Sequence, residues 1–155
     1  LTTHAVCKRV ITVLGGSQKR PNIHIEDLAE LYVRLLEFPE RMVAGEIFNA
    51  AYQNHTVAEL AEMVRAVVER ELPEGGPIRI ETRPTNDLRS YHVSSKKIAE
   101  RLGFVPTRSI EDAIRDLCRA FRAGKLPDSL TDDRYVNVRT VKKLAPTLAM
   151  EAARS

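Results

Sequence analysis

Tryptophan is absent from this 155-residue chain, and aromatic residues make up only 5% of it. Proteins that bind single-stranded nucleic acid stack bases on aromatic side chains, and other nucleic-acid binders gather Lys and Arg on one face. Here 24 basic residues stand against 21 acidic ones, so the net charge of +3 is small and is spread along the chain. We therefore expect no nucleic-acid partner, although local basic groups remain available for a small anionic ligand.

Cysteine is also scarce, and long hydrophobic runs are missing. Cys7 and Cys118 lie outside any CxxC or Cys/His spacing, so the sequence predicts two buried, reduced thiols, with neither a disulfide framework nor a metal site. No apolar run approaches the roughly 20 residues that a membrane helix needs, and no signal peptide opens the chain. These absences predict a cytoplasmic protein with no membrane partner.

The glycines do not form a phosphate-binding loop. Gly15-Gly16 is not part of a GxGxxG motif and is not followed by a helix start, so it offers no dinucleotide or P-loop cradle. No histidine has a Ser or Cys nucleophile beside it in the sequence, which leaves nucleophilic catalysis without support. The sequence therefore predicts no catalytic residue, and no residue of this chain that binds a cofactor.

The first half of the chain has the apolar pattern of an α/β protein. Val10 to Leu14 is β-branched and ends at a glycine pair, as is typical of a strand followed by a turn. Ile23 and Ile25 predict a second short strand, and the helical spacing of apolar residues from Leu28 to Leu36 predicts a helix. The apolar run Ile47 to Ala51 is suited to a buried strand. A helix between two strands favours a parallel sheet.

The second half alternates helices with one further strand. Thr56 and Glu59 form a capping-box pattern at the start of a helix, and Ile78 to Thr82 predicts a strand. Two more helices are expected after Ser95 and Ser109, while the segment from Arg83 to Tyr91 is polar and irregular.

Two places in the sequence could bind an anion. Arg20 leaves the glycine turn, and its planar guanidinium matches a diphosphate better than a lysine would. On spacing alone, an exposed structural arginine explains Arg20 equally well. Arg83, Asp87 and Arg89 lie in the irregular segment after a strand, where a purely structural pairing of Arg83 with Asp87 is an equal alternative.

Four stretches, in this order, resemble the C-terminal part of the extended short-chain dehydrogenase/reductase family, the NAD-dependent epimerases and dehydratases of nucleotide sugars. They are residues 15–29, 45–50, 83–87 and 95–106. The resemblance implies that Arg20 and Arg83 grip the diphosphate of a nucleotide-sugar substrate, and that Asp87 lies in the same nucleotide-binding loop. We include the neighbouring Arg89 in this candidate substrate site.

The resemblance also has a large gap. The family binds NAD or NADP through an N-terminal glycine-rich turn and uses a Tyr-x-x-x-Lys pair, and none of the four tyrosines here has a lysine four residues on. We therefore expect the cofactor to be bound by a parent enzyme and not by this chain alone. Whether the chain alone is an enzyme is left open. Because it begins at Leu1, we expect a fragment of a longer protein that forms a homodimer.

The expected architecture is α/β, the C-terminal portion of a Rossmann-type extended short-chain dehydrogenase. Within a single partial domain spanning residues 1–155, residues 23–72 would complete the dinucleotide-binding sheet with its last strand and helices. Residues 10–22 and 78–145 would form a small α/β substrate-binding lobe, and 146–155 a frayed tail. The alternative is a standalone, non-catalytic module that binds a nucleotide or nucleotide sugar.

Overall fold

The computed structural model describes the backbone of residues 1–152 and the side chains of residues 1–145. Short 3-10 turns lie at Pro73–Gly75 and Asp133–Tyr135. The helices and strands of the described residues follow one another in this order: α1 (Thr2–Lys8), β1 (Val10–Leu14), β2 (Lys19–Asn22), α2 (Ile25–Glu37), α3 (Glu40–Val43), β3 (Gln53–Thr56), α4 (Val57–Glu71), β4 (Arg79–Arg83), α5 (Lys96–Leu102), α6 (Ile110–Arg122) and α7 (Asn137–Ala152).

Strands β1 and β4 pair in parallel, with Val10 opposite Arg79 and Leu14 opposite Arg83. Ile11 and Val13 are both buried, because alternate residues of a strand share one face. They join a core to which α1, α4 and α6 also contribute, among them Val68 and Ile114. This core holds the end of β1, and with it the glycine turn, in a fixed place.

Strands β2 and β3 form a separate antiparallel ribbon, in which Arg20 lies opposite His55. Pro21 occupies β2 without disruption, since a proline that cannot donate to a ladder is tolerated on an edge strand. The ribbon leads directly into α4, whose first residue, Val57, donates its backbone N–H to the carbonyl of Gln18 at 3.0 Å.

A second core lies between α2 and α5. Its buried members are Leu31, Ile98, Leu102 and Phe104, and Phe48 packs against them from the segment after α3. Helix α2 therefore uses only one face for packing within the described residues.

Two expected strands are wrong in position. Ile23 and Ile25 do not form a strand: β2 ends at Asn22, and α2 begins at Ile25 after His24, whose side chain accepts a hydrogen bond from the Glu26 N–H. Residues 47–51 carry no strand assignment either, and the strand of this region is the polar segment Gln53–Thr56. The parallel pairing expected around α2 is therefore not formed among the described residues, where the parallel pair is β1 with β4.

The helix starts predicted after Thr56, Ser95 and Ser109 are confirmed. Thr56 with Glu59 and Ser109 with Asp112 both form complete capping boxes, in which each side-chain oxygen accepts the backbone N–H of the other residue. Gly103 closes α5 in the left-handed conformation with φ of 62°. These local rules operate independently of tertiary contacts, which is why the sequence predicts them well.

Cys118 is buried as expected, and burial raises the pKa of its thiol. The expectation for Cys7 is wrong, because its side chain is exposed beside Ser129. In the described part of the chain, none of the helices combines the length and apolar character needed to cross a bilayer. The expected tail at 146–155 falls partly outside the described residues; the backbone is helical as far as Ala152.

Candidate functional site

The glycine turn is filled by the side chain of Gln18, which is only 5% exposed. Its Oε1 accepts the Gly16 N–H at 2.7 Å, and its Nε2 donates to the Leu14 carbonyl at 3.0 Å and to the Asp87 carbonyl at 3.1 Å. Gly15 donates its own N–H to the Arg83 carbonyl at 2.8 Å. The turn after β1 is therefore joined to the irregular segment after β4.

The irregular segment after β4 is also hydrogen-bonded to β2. The Lys19 N–H donates to Ser90 Oγ at 2.9 Å, and the Tyr91 N–H donates to the Lys19 carbonyl at 3.0 Å. We call residues 84–91 the clamp loop. These bonds bring two parts of the sequence that lie about seventy residues apart onto one surface.

Within the clamp loop, Asp87 and Arg89 form a two-point ion pair. Arg89 Nε lies 2.7 Å from Asp87 Oδ1, Arg89 Nη2 lies 2.8 Å from Oδ2, and the Arg89 N–H also donates to Oδ1. Hydrogen bonds from Arg89 lower the pKa of Asp87 to about 2, and the same pairing raises the pKa of Arg89. Both groups are ionised at neutral pH, and the planar fork of Arg89 has a fixed direction.

Arg20, on β2, also contacts the clamp loop. Its Nη1 donates to the carbonyls of Lys19 at 2.9 Å and Arg89 at 2.6 Å, and its guanidinium carbon lies 5.4 Å from the centre of the Tyr91 ring. Among the described residues, no hydrogen bond occupies its Nε or Nη2. The contacts fix the arginine and leave part of its guanidinium available to an anion.

Arg83 stands apart from these residues. Its side chain is 65% exposed, and its Nη2 lies 3.5 Å from Glu81 Oε2. The structural alternative of an Arg83–Asp87 pair is therefore wrong, because Asp87 is bound by Arg89 instead. Of the four candidates, the structure brings Arg20, Asp87 and Arg89 together, and joins Arg83 to the group through its backbone carbonyl.

Asp27 forms a second buried cluster that the sequence does not reveal. This carboxylate, 2% exposed, accepts the backbone N–H groups of Thr107 and Arg108 at 3.1 and 2.9 Å and pairs with Arg108 Nη1 at 2.6 Å. Burial favours its neutral form, but the hydrogen bonds from Arg108 and Thr107 outweigh that effect and lower the pKa of Asp27. Asp27 thus ties α2 to the segment before α6.

A small cavity of about 90 Å³ adjoins that cluster, lined by residues that include His24, Tyr52, Gln53 and Arg108. His24 is buried, with Nε2 3.3 Å from Asp116 Oδ2. Within the described part of the chain, no three His, Cys, Asp or Glu side chains gather as a metal site.

The glycine turn does not fit the phosphates of a dinucleotide cofactor. Dinucleotide-binding turns offer free backbone N–H groups at the start of a helix. Here the N–H groups of Gly15 and Gly16 are both taken, by Arg83 and Gln18, and the turn leads into β2. This turn therefore serves the clamp loop, and no step of cofactor chemistry is derived from it.

Gln18, Ser90 and Tyr91 are not among the site residues that the sequence predicts. Their polar contacts connect the glycine turn and β2 to the clamp loop, and the pairing of these segments is a tertiary feature. The signal available was the placement of Gln18 three residues after Gly15, where a long amide can fold back onto the turn. The ring of Tyr91 beside a guanidinium could only be seen in three dimensions.

Comparisons with known proteins agree with the resemblance noted in the sequence. Residues 2–51 match the model of the NAD dependent epimerase/dehydratase family. UDP-D-apiose/UDP-D-xylose synthase 1 of Arabidopsis thaliana is 34% identical over 115 residues, which are 64% of this chain and 28% of that protein. The expected family resemblance is confirmed.

Solved structures agree with the fold. L-threonine dehydrogenase from Phytophthora infestans has a TM-score of 0.64 at 12% identity, covering 79% of this chain and 40% of its own. UDP-glucose 4-epimerase from Thermotoga maritima, solved with UDP-glucose, has a TM-score of 0.60 at 20% identity, covering 80% of this chain and 38% of its own. The expected Rossmann-type fold class is confirmed, and the chain spans well under half the length of these relatives.

Proposed function

We propose that this chain, which resembles the NAD-dependent epimerase/dehydratase family in sequence and has a Rossmann-type fold, is the substrate-binding part of such an enzyme. In this proposal, the clamp loop and β2 hold the diphosphate of a nucleotide sugar. Arg20, Arg83 and Arg89 supply the positive charge, and Asp87 directs Arg89. The nicotinamide cofactor, NAD or NADP, is bound elsewhere in the parent enzyme, which we expect to form a homodimer.

The observation that carries the proposal is the contact between Arg20 and the clamp loop. The Arg20 Nη1 lies 2.6 Å from the backbone carbonyl of Arg89, so Arg20 is held against the loop that carries Arg89, although the two residues lie far apart in the sequence. A diphosphate is a polyanion of suitable size, and arginine binds phosphate oxygens with two parallel hydrogen bonds.

The uncovered face of α2 supports a place within a larger α/β protein. Ile25, Tyr32, Val33 and Leu36 recur at helical spacing and are 71%, 65%, 60% and 88% exposed. We call these four residues the α2 face. Ile47, in the segment that lacks a strand partner, is 82% exposed. A sheet packed here would cover the α2 face, as a dinucleotide-binding sheet does in this fold.

The same observation disfavours the standalone binding module. A self-sufficient domain of this size seldom leaves four large apolar side chains of one helix in water, because exposed apolar patches promote association. The clamp loop itself is compatible with either function, since both require a nucleotide diphosphate to be bound.

The test is calorimetric titration of the natural full-length protein with several nucleoside diphosphates. The variants are Arg20→Ala and Arg89→Ala, which we expect to weaken binding at least tenfold each, the effect of losing a charge-assisted hydrogen bond. The control is Arg79→Ala. Arg79 is also an exposed arginine in an ion pair, 2.7 Å from Glu81, but it lies at the end of β4 that is remote from the clamp loop.

The outcomes separate the alternatives. Binding that is lost in the two variants and kept in the control supports the proposal. If all three variants bind the nucleoside diphosphate as tightly as the unmodified protein does, Arg20 and Arg89 do not contact the diphosphate. No affinity of the parent protein for any nucleoside diphosphate would overturn the proposed substrate class, as expected if the fold served an amino-acid substrate instead.

A further inference from the structure

We propose that Gln18 is a positioning residue, which sets the direction of the Arg89 guanidinium relative to Arg20 by fixing the backbone of Asp87. This inference rests on the proposed function, since it assumes that these arginines bind an anion. Gln18 itself is buried beneath the glycine turn and does not reach a ligand.

The connection runs through two contacts in series. Gln18 Nε2 donates to the Asp87 carbonyl at 3.1 Å, and the Asp87 carboxylate then receives Arg89 Nε at 2.7 Å and Nη2 at 2.8 Å. Leu88, between them, is 75% exposed and contributes no packing that could hold the loop. The buried Gln18 amide therefore fixes the Asp87 backbone, and the exposed Asp87–Arg89 ion pair depends on that backbone position.

Only an amide satisfies all three partners of the Gln18 side chain. The Leu14 and Asp87 carbonyls both need a donor, while the Gly16 N–H needs an acceptor. A glutamine carries two N–H donors and one carbonyl oxygen, whereas an ionised glutamate carries acceptors alone. Glutamate at this position would set a carboxylate against two carbonyl oxygens, and the clamp loop would move away from the turn.

The space around Gln18 is closed by its neighbours. A Cβ at Gly15 would lie 2.7 Å from Gln18 Nε2 and 2.6 Å from Thr85 Cγ2, so the glycine is needed for the amide and the clamp loop to meet. Gly15 also has a φ of 75°, in the region where glycine is favoured. Three features of the sequence, the glycine, the glutamine and the loop threonine, thus fit together at one point.

The experiment compares Gln18→Glu with Gln53→Glu in the natural full-length protein, using a nucleoside diphosphate as the probe. Gln53 accepts the Ile110 N–H at 3.0 Å at the start of α6, so a glutamate there keeps its acceptor and is favoured by the helix dipole. We expect Gln18→Glu to weaken binding about tenfold, the range for hydrogen bonds to charged groups, and Gln53→Glu to leave it unchanged. Thermal unfolding is measured for both.

A double-mutant cycle distinguishes positioning from a general loss of structure. If Gln18 acts through Arg89, then Gln18→Glu weakens binding much less when Arg89 is already alanine, because the effects of coupled residues do not add. Asp87→Asn serves as a second, milder variant, since it weakens the ion pair while the Gln18 contact to the Asp87 backbone remains.

Each outcome decides the inference. A tenfold loss in Gln18→Glu that disappears in the Arg89→Ala background supports it, as does a loss in Asp87→Asn that is not additive with Gln18→Glu. Full additivity, or unchanged binding in Gln18→Glu, overturns it while the proposed function stands. If the parent protein binds no nucleoside diphosphate, the proposed function fails and the positioning role fails with it.

Discussion

The carboxylate of Asp87 holds the guanidinium of Arg89 at two points, with Nε to Oδ1 at 2.7 Å and Nη2 to Oδ2 at 2.8 Å. Two parallel bonds fix the plane of a guanidinium as well as its position. The pair also neutralises the single positive charge of the clamp loop. A diphosphate bound here would therefore meet an arginine whose direction is already set.

The first prediction concerns the pH dependence of this ion pair. Hydrogen bonds from Arg89 lower the pKa of Asp87 from 3.8 to about 2, so the folded protein keeps this carboxylate ionised where an unfolded chain would protonate it. The stabilising effect is complete above about pH 4 and is lost as the pH falls through 2. Carbon NMR titration of the Asp87 carboxyl should give a midpoint near 2. A midpoint near 4 would show that the pair does not form.

The second prediction is that Asp27→Asn destabilises the fold by about 2–3 kcal/mol, because buried backbone N–H groups of Thr107 and Arg108 lose a charged acceptor. Chemical denaturation measures this free energy of unfolding. Glu30→Gln is the control: its carboxylate lies 3.9 Å from the same Arg108 but is exposed, so its loss should cost less than about 0.5 kcal/mol. Equal effects in both variants would contradict the buried cluster.

The third prediction compares two glycines of similar backbone conformation. Gly15 and Gly124 have φ values of 75° and 66°, yet a Cβ at Gly15 would meet Thr85 and Gln18 whereas one at Gly124 would meet nothing within 4 Å. Gly124→Ala should cost about 1 kcal/mol of stability from its backbone alone. Gly15→Ala should cost clearly more in thermal unfolding, and it should weaken nucleotide binding. Similar losses would indicate that the turn and the clamp loop are not in contact.

The fourth prediction concerns the α2 face. Leu36→Gln replaces a side chain that is 88% exposed, so the stability of the 155-residue chain should change by less than about 0.5 kcal/mol. Its self-association should fall, because an exposed apolar patch becomes smaller. Light scattering at increasing concentration measures this effect. Val105→Gln, at an exposed valine outside α2, serves as the control. Equal self-association of the two variants would show that the α2 face does not drive association.

The sequence predicted those parts of the fold that follow from local rules. The capping boxes at Thr56 and Ser109 and the strand Val10–Leu14 depend on neighbours in the chain. It failed at residues 47–51, where a typical apolar strand pattern finds no strand to pair with among the described residues. Since a strand requires a partner, an apolar run alone does not determine it.

The candidate site was predicted in part. Arg20, Asp87 and Arg89 were chosen from the sequence, and the structure brings them together through contacts between β2 and the clamp loop. Their arrangement was not predictable, because Asp87 could pair with either neighbouring arginine at similar separation in sequence. The role of Gln18 was missed for the same reason, since its partner Asp87 lies sixty-nine residues further along the chain.

The proposed diphosphate site is tested most directly by a crystal structure of the natural protein with a bound nucleoside diphosphate. We expect phosphate oxygens within hydrogen-bond distance of Arg20 and of Arg83 or Arg89, with the Asp87–Arg89 pair intact. A diphosphate bound at another surface, with these arginines still facing solvent, would contradict it.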